Sequence, residues 1–188
     1  MLAIETAHIA LRPFLPDDAP RIAALLENGA VAQTTALIPH PYGLADAESW
    51  IAVHRELART GDEYIFAITK KPKKDVVGAI GVRGKPDRFG HIGYWVGEKY
   101  WGQGLATEAL QSVVAIGFDW LHADFLTALA LHSNPASCRV LEKSNFTPTG
   151  TTDMPHRDWP GKQRFVHYRL ERETWERART VAERGESQ

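Results

Sequence analysis

Cysteine is almost missing from this chain. Among 188 residues there is one, Cys138, so no intrachain disulfide framework can form, and the usage suits a reducing cytoplasm. An excess of either charge is missing too. Lys and Arg total 22 against 23 Asp and Glu, a net charge of -1, so nothing at whole-molecule level favours nucleic acid or an anionic membrane. An anionic ligand would have to be held locally. No window holds the roughly 20 apolar residues that cross a bilayer. The opening MLAIETAHIALRPF has no basic leader followed by an apolar core, so a signal peptide is not expected. Internal repeats and low-complexity runs are also lacking. What is present, 44% hydrophobic and 24% charged residues, is ordinary for one globular domain over residues 1–188.

The apolar pattern predicts an α+β domain. Residues 8–14 alternate as a first strand, which Pro13 confines to an edge or an end. Pro16, Asp17 and Asp18 supply turn and cap chemistry for a helix carrying Ile22, Leu25 and Leu26 and stopping at Gly29. Helical spacing returns over residues 45–58, and the Pro-rich stretch 34–43 between the two is a loop suited to lining a site. Strand-like runs at 64–69, 76–82 and 91–96, joined by KKPKK and GKPDRFG, read as an antiparallel meander. The KKPKK lysines Lys70, Lys71, Lys73 and Lys74 read as a solvated hairpin end or a phosphate patch. Ala106, Leu110, Val113, Val114, Gly117, Phe118 and Leu121 then mark one face of a helix. A buried strand at 125–131 follows, and Asn134 and Pro135 open another helix as N-cap and first helical residue. Strands at 146–151 and 164–170 close the sheet, and residues 171–188 form a charged C-terminal helix or tail. Antiparallel strands passing into a β-α-β-α unit imply a mixed, mostly antiparallel sheet flanked by helices on both faces.

The stretch YWGQGLATEAL, residues 100–110, carries the chemistry. It lacks the Gly-Lys-Ser/Thr of a P-loop, and Thr107 stands where the dinucleotide fingerprint needs a third glycine. Its physics still favours an anion: Gly102 and Gly104 allow close backbone approach, and a helix start offers unpaired N–H groups at the positive end of its dipole. Spacing alone leaves a plain turn and a phosphate cradle equally open.

IGYWVGEKYWGQGLATEAL (residues 92–110) and NPASCRVLEKSNF (134–146) together resemble the GNAT superfamily of acyl-CoA-dependent N-acetyltransferases. The subgroup that acetylates ribosomal-protein N-termini is the closest match, also through LRPFLPDDAPRIAALL and PYGLADAESWI. The resemblance implies a GNAT-type sheet, acetyl-CoA as cosubstrate and no metal. It implies direct transfer in a ternary complex to a primary amine, a protein N-terminus or a small molecule, and a possible homodimer. The family's Q/R-x-x-G-x-G/A motif falls on residues 101–106, with Gly104 and Ala106 matching and Trp101 departing from Gln or Arg. Cofactor contacts are thereby expected from Trp95, Val96, Trp101, Gly102, Gln103, Gly104, Leu105, Ala106 and Thr107, then Asn134, Ser137 and Lys143. Asn134 reads equally as an N-cap, Ser137 as a first-turn polar residue, and Lys143 as a C-terminal helix charge. In K-S-N-F, Asn145 replaces the usual Gly at C′, a position Asn tolerates.

For the chemistry, the resemblance implies that a backbone N–H near Val96 stabilises the oxyanion and that Ser137 protonates the leaving thiolate. An unperturbed imidazole titrates near ~6.5, which suits general base work, and His91 is the candidate base. A structural role for it stays open, and Asp153, His156 and Asp158 are alternatives. Cys138 reads as a small core residue beside Val140 and Leu141 rather than a nucleophile. A non-catalytic acyl-CoA-binding domain is the alternative from another class.

Overall fold

Even-numbered residues along the central strands are apolar and buried, and that alternation lays one face of a sheet onto a core. Ile68, Ile80, Ile92, Leu126 and Tyr168 all lie on it. The computed structural model describes residues 3–84, 89–156 and 161–185. Its strands are β1 (Ile4–Glu5), β2 (Ile9–Arg12), β3 (Glu63–Lys70), β4 (Asp75–Arg83), β5 (Phe89–Val96), β6 (Phe125–Leu131), β7 (Thr147–Pro155) and β8 (Lys162–Glu171). They form one eight-stranded sheet in the order β1-β2-β3-β4-β5-β6-β8-β7. Every pairing is antiparallel except β5 with β6.

Helices cover both faces. α4 (Leu105–Ala115) buries Leu105, Ala109, Leu110, Val113 and Val114 against the even face. A π-helical turn, Ile116–Trp120, continues it and buries Phe118, which stacks on Trp175 of α6 (Arg172–Gly185) at 5.0 Å. α5 (Pro135–Lys143) seats Leu141 in the same core. On the other face α1 (Ala19–Leu26), α2 (Leu44–Ala52) and α3 (His54–Thr60) surround Ala67, Ala79 and Trp95. The single helix expected at 45–58 is two. α2 packs on α1 and α3 packs on β3, and the chain breaks at Val53 to serve both. The strand expected at 146–151 runs on to Pro155, past a bulge between Pro148 and Gly150.

One departure from a regular sheet positions the site. The β5–β6 ladder runs from Phe89 and Phe125 to Ile92 and Ala128. Beyond it, β5 stays with β4 as far as Val96, while β6 stays with β8 as far as Leu131. The two halves of the sheet part there.

Candidate active site

Which backbone groups face this split follows from the antiparallel ladder. Gly97 donates its N–H to the Val77 carbonyl at 2.8 Å. By alternation Trp95 and Gly93 also address β4, so the N–H and C=O of Tyr94 and Val96 turn into the gap. The Val96 carbonyl is taken by the Trp101 indole, whose Nε1–H donates to it at 2.6 Å. Trp101 therefore fixes the strand end with the polar atom that Gln or Arg would have offered to a ligand.

The glycine turn closes one end of a cavity of about 310 Å³. Gly102 and Gly104 have φ of 73° and 77°, left-handed values that favour glycine, and a Cβ on either would meet nothing within 4 Å. Gly104 is the N-cap of α4 and brings no side chain to its first-turn amides, which also carry the positive end of the helix dipole. The nearby negative charge of Glu108 is already engaged. It accepts from the His8 N–H at 2.8 Å, pairs with His8 Nδ1 at 3.0 Å, and bonds the Thr6 hydroxyl. Burial pushes its carboxyl up, but those bonds outweigh burial and hold it below the usual range. Lys70, at the end of β3, reaches Gln103 Oε1 at 2.6 Å, so one lysine of KKPKK does stand at the glycine turn. Lys71 instead pairs with Glu5 at 3.1 Å.

α5 forms the opposite wall. Asn134 Oδ1 accepts from the Ser137 N–H at 3.1 Å, the expected N-cap, and its Nδ2 donates to the Thr34 carbonyl at 3.2 Å. His156 Nε2 bonds the Thr35 carbonyl at 2.6 Å. These two bonds strap the irregular stretch 34–43 across the split. Ser137 Oγ lies 2.9 Å from the Tyr94 hydroxyl. Burial pushes the Tyr94 phenol up to about 12, so it stays protonated at neutral pH. Among the described residues the cavity lining includes Arg139 and Lys143 and no carboxylate, a local positive bias in a chain of net charge -1. Thr35 Oγ1 is buried in this wall without a hydrogen-bond partner among the described residues. A bare glycine turn, two cations and an orphaned hydroxyl fit a long, phosphate-bearing ligand such as an acyl-CoA.

All the residues expected to touch the cofactor, from Trp95 and Val96 through the 101–107 turn to Asn134, Ser137 and Lys143, line this one cavity. His91 does not. It sits earlier on β5, in a second cavity of about 330 Å³ with Thr127 and His167. Thr127 Oγ1 donates to the Gly90 carbonyl at 3.1 Å, so it accepts from His91 Nδ1 at 3.0 Å. Neutral His91 is thereby the tautomer whose basic nitrogen is Nε2. Asp153 is occupied by Arg164 at 3.0 Å, His156 holds the strap, and Asp158 lies outside the described residues. Cys138 is half-buried against the core. Sequence reasoning missed Tyr94 and Arg139. Tyr94 was legible only as an even-numbered core position, and Arg139 only as the residue two after Ser137 in a helix.

Comparison with known proteins gives a consistent picture. Residues 8–147 match the family model described as "Acetyltransferase (GNAT) domain". Uncharacterized N-acetyltransferase YoaA of Bacillus subtilis (strain 168) is 28% identical over 149 residues, covering 78% of this chain and 84% of that protein. Among solved structures, ribosomal-protein-S5-alanine acetyltransferase from Vibrio fischeri superposes with a TM-score of 0.81 at 17% identity, covering 93% of this chain and 99% of the other. RimL, a ribosomal L7/L12 α-N-protein acetyltransferase in complex with coenzyme A, has a TM-score of 0.81 at 16% identity, over 92% and 99%. At those identities the solved structures speak for the fold. Among the described residues no helix is long and apolar enough to cross a membrane, and no group of three or more metal-ligating side chains occurs.

Proposed function

Because the chain belongs to the GNAT acetyltransferase family, we propose that it moves the acetyl group of acetyl-CoA directly to a primary amine while both are bound. The observation that carries this reading is the cavity at the split of β5 and β6. There an unpaired strand edge, a bare helix start and a hydroxyl pair meet in one lining with two cations, Arg139 and Lys143. Acetyl-CoA supplies an activated thioester when bound. The first-turn amides after Gly104 hold its pyrophosphate, with Lys70 beside them, and Arg139 and Lys143 serve its other phosphate.

The chain's own groups then divide the work. The Val96 N–H points into the gap as an oxyanion donor, held there by the Trp101 bond to the carbonyl of the same residue. Ser137, backed by the protonated Tyr94 hydroxyl, is the proton donor for the leaving thiolate. His91 receives the amine's proton through water. It precedes Tyr94 by three positions on β5, about 10 Å, which is too far for direct transfer. An N-terminal α-amine of a protein or a small-molecule amine fits the acceptor role.

Calorimetry with acetyl-CoA tests the cradle. Gly104→Glu places bulk and negative charge at the helix start, and affinity should fall by tenfold or more, partly recovering as salt screens the repulsion. Unchanged affinity would remove the glycine turn from the reading. Thiol release over a panel of amines and N-terminal peptides tests transfer itself, and tight acetyl-CoA binding without release for any acceptor would leave a binding module.

A further inference from the structure

The second cavity has a lining that the proposed transfer does not fully use. His91 on β5, Thr127 on β6, Thr149 on β7, and His167 and Arg169 on β8 surround it, and among the described residues its lining has no carboxylate. Register explains the assembly: His91 lies opposite Thr127, and Thr127 opposite Arg169, so their side chains share the odd-numbered face. Among the described residues that face is covered by α1, α2 and α3 over β3 and β4 but is more open over β6 and β8, where Thr127, Leu129, His167 and Arg169 are partly exposed. Two contacts organise the donors. Thr152 Oγ1 holds His167 Nε2 at 2.7 Å, and the Arg169 guanidinium rests 3.5 Å from the centroid of the Phe125 ring. Glu171 shares Arg169 at 2.5 Å from an exposed position, where an incoming ligand competes with it.

Gly93 joins this cavity to the first one. It lies on the odd face between His91 and Trp95, is exposed, and a Cβ there would meet nothing within 4 Å among the described residues. Trp95 lines the first cavity and His91 the second, so the floor between them is bare backbone.

We propose that the second cavity seats an oxyanion, a carboxylate or a phosphate, carried by the same acceptor whose amine crosses Gly93 to the split in the sheet. The proposal rests on the transferase reading above and names its acceptor class. The Arg169 guanidinium, through the nitrogen that Glu171 leaves open, and the His167 imidazole, through Nδ1, supply donors, and an oxyanion is the group that uses them together. From Gly93 across β6 to His167 is two strand spacings, about 10 Å, so the amine and the oxyanion are separated by the length of roughly three extended residues.

Two measurements test it separately. Without acetyl-CoA, succinate and inorganic phosphate are titrated against the imidazole proton resonances of His91 and His167, with succinamide as the neutral match. Saturable shifts with succinate or phosphate and none with succinamide are expected, weakened tenfold or more in His167→Gln and in Arg169→Leu. The larger response of the two anions identifies the group. No saturable shift, or an equal one with succinamide, overturns the oxyanion seat. With acetyl-CoA, ω-amino acids of graded length are compared with their carboxamides, and tripeptides ending in Asp with those ending in Asn.

The acidic member should have the higher kcat/KM by tenfold or more. That preference should collapse in both variants while the acetyl-CoA KM holds, and the series that shows it separates a small molecule from a protein N-terminus. Transfer without an acid preference overturns the inference and leaves the transferase reading intact. Absence of both transfer and acetyl-CoA binding overturns that reading, and with it the acceptor assignment.

Discussion

Asn134 carries two loads at once, and a pair of substitutions separates them. Its Oδ1 caps α5 at the Ser137 N–H, and its Nδ2 straps the Thr34 carbonyl across the split. Losing an N-cap costs about 1 kcal/mol. Losing one side-chain bond to a backbone carbonyl costs about another 1 kcal/mol. Asn134→Ala removes both, about 2 kcal/mol. Asn134→Ser keeps a good cap and removes only the strap, about 1 kcal/mol. At about 2–4 °C per kcal/mol for a chain of this size, calorimetric Tm should fall by about 4–8 °C for Ala and about half that for Ser. Acceptor kinetics should respond differently. The strap is lost in both variants, so both should raise acceptor KM to the same extent. If Ala and Ser melt together, the cap contributes nothing. If Ser melts with the unmodified chain and leaves acceptor KM unchanged, the strap is idle and the role given to stretch 34–43 falls.

Tyr94→Phe should lower kcat by roughly tenfold or more while calorimetric acetyl-CoA affinity holds, because it removes the hydroxyl beside Ser137 but not the cavity wall; an equal loss of affinity would assign Tyr94 to binding instead. His54 is buried between Phe14 and Trp50, and burial brings its pKa down to about 4. Between about pH 6.5 and 4 the unfolded chain binds the extra proton, so stability falls as pH falls through that window, by about 3 kcal/mol in all. His54→Phe should flatten that limb of the denaturation midpoint against pH. Burial pushes the Asp18 carboxyl up, but two bonds from Arg12 at 2.7 and 2.8 Å and one from the Leu15 N–H outweigh it and hold it down. The contribution is present at neutral pH and lost as pH falls through the depressed pKa, so Asp18→Asn should destabilise at pH 7 and converge with the unmodified chain only once pH has fallen below that pKa.

Elements with strong local signals were legible in the sequence. The 125–131 strand and the Asn134–Pro135 helix start are where alternation and capping chemistry put them. The Asn145 C′ position also holds, at φ 64°. The glycine turn was legible as a candidate anion cradle, though not as one end of a cavity. The helix break at Val53 was hidden, since periodicity is blind to which neighbour each half packs against. So was the split, because β5 and β6 are each continuous apolar strands, and only their register with β4 and β8 reveals where they separate. Tyr94 and Arg139 became site residues through that separation. His91 and Ser137 both read as catalytic along the chain, but three strand positions and the gap put them in different cavities.

The split also bears on how this sheet avoids self-association. An unpaired strand edge is a template for another chain, and proteins blunt such edges or hide them. The outer edges here are poor templates: β1 is two residues long, and β7 carries Pro148, Pro155 and a bulge at Gly150. The inner edges of β5 and β6 are the opposite, regular and hydrogen-bond-hungry, yet they face each other behind α4, α5 and the 34–43 strap. A foreign strand cannot enter that slot lengthwise, whereas a slender ligand with its own amides can. Loosening the strap therefore predicts a second phenotype beside weaker acceptor binding: slow, concentration-dependent assembly that a bound ligand suppresses.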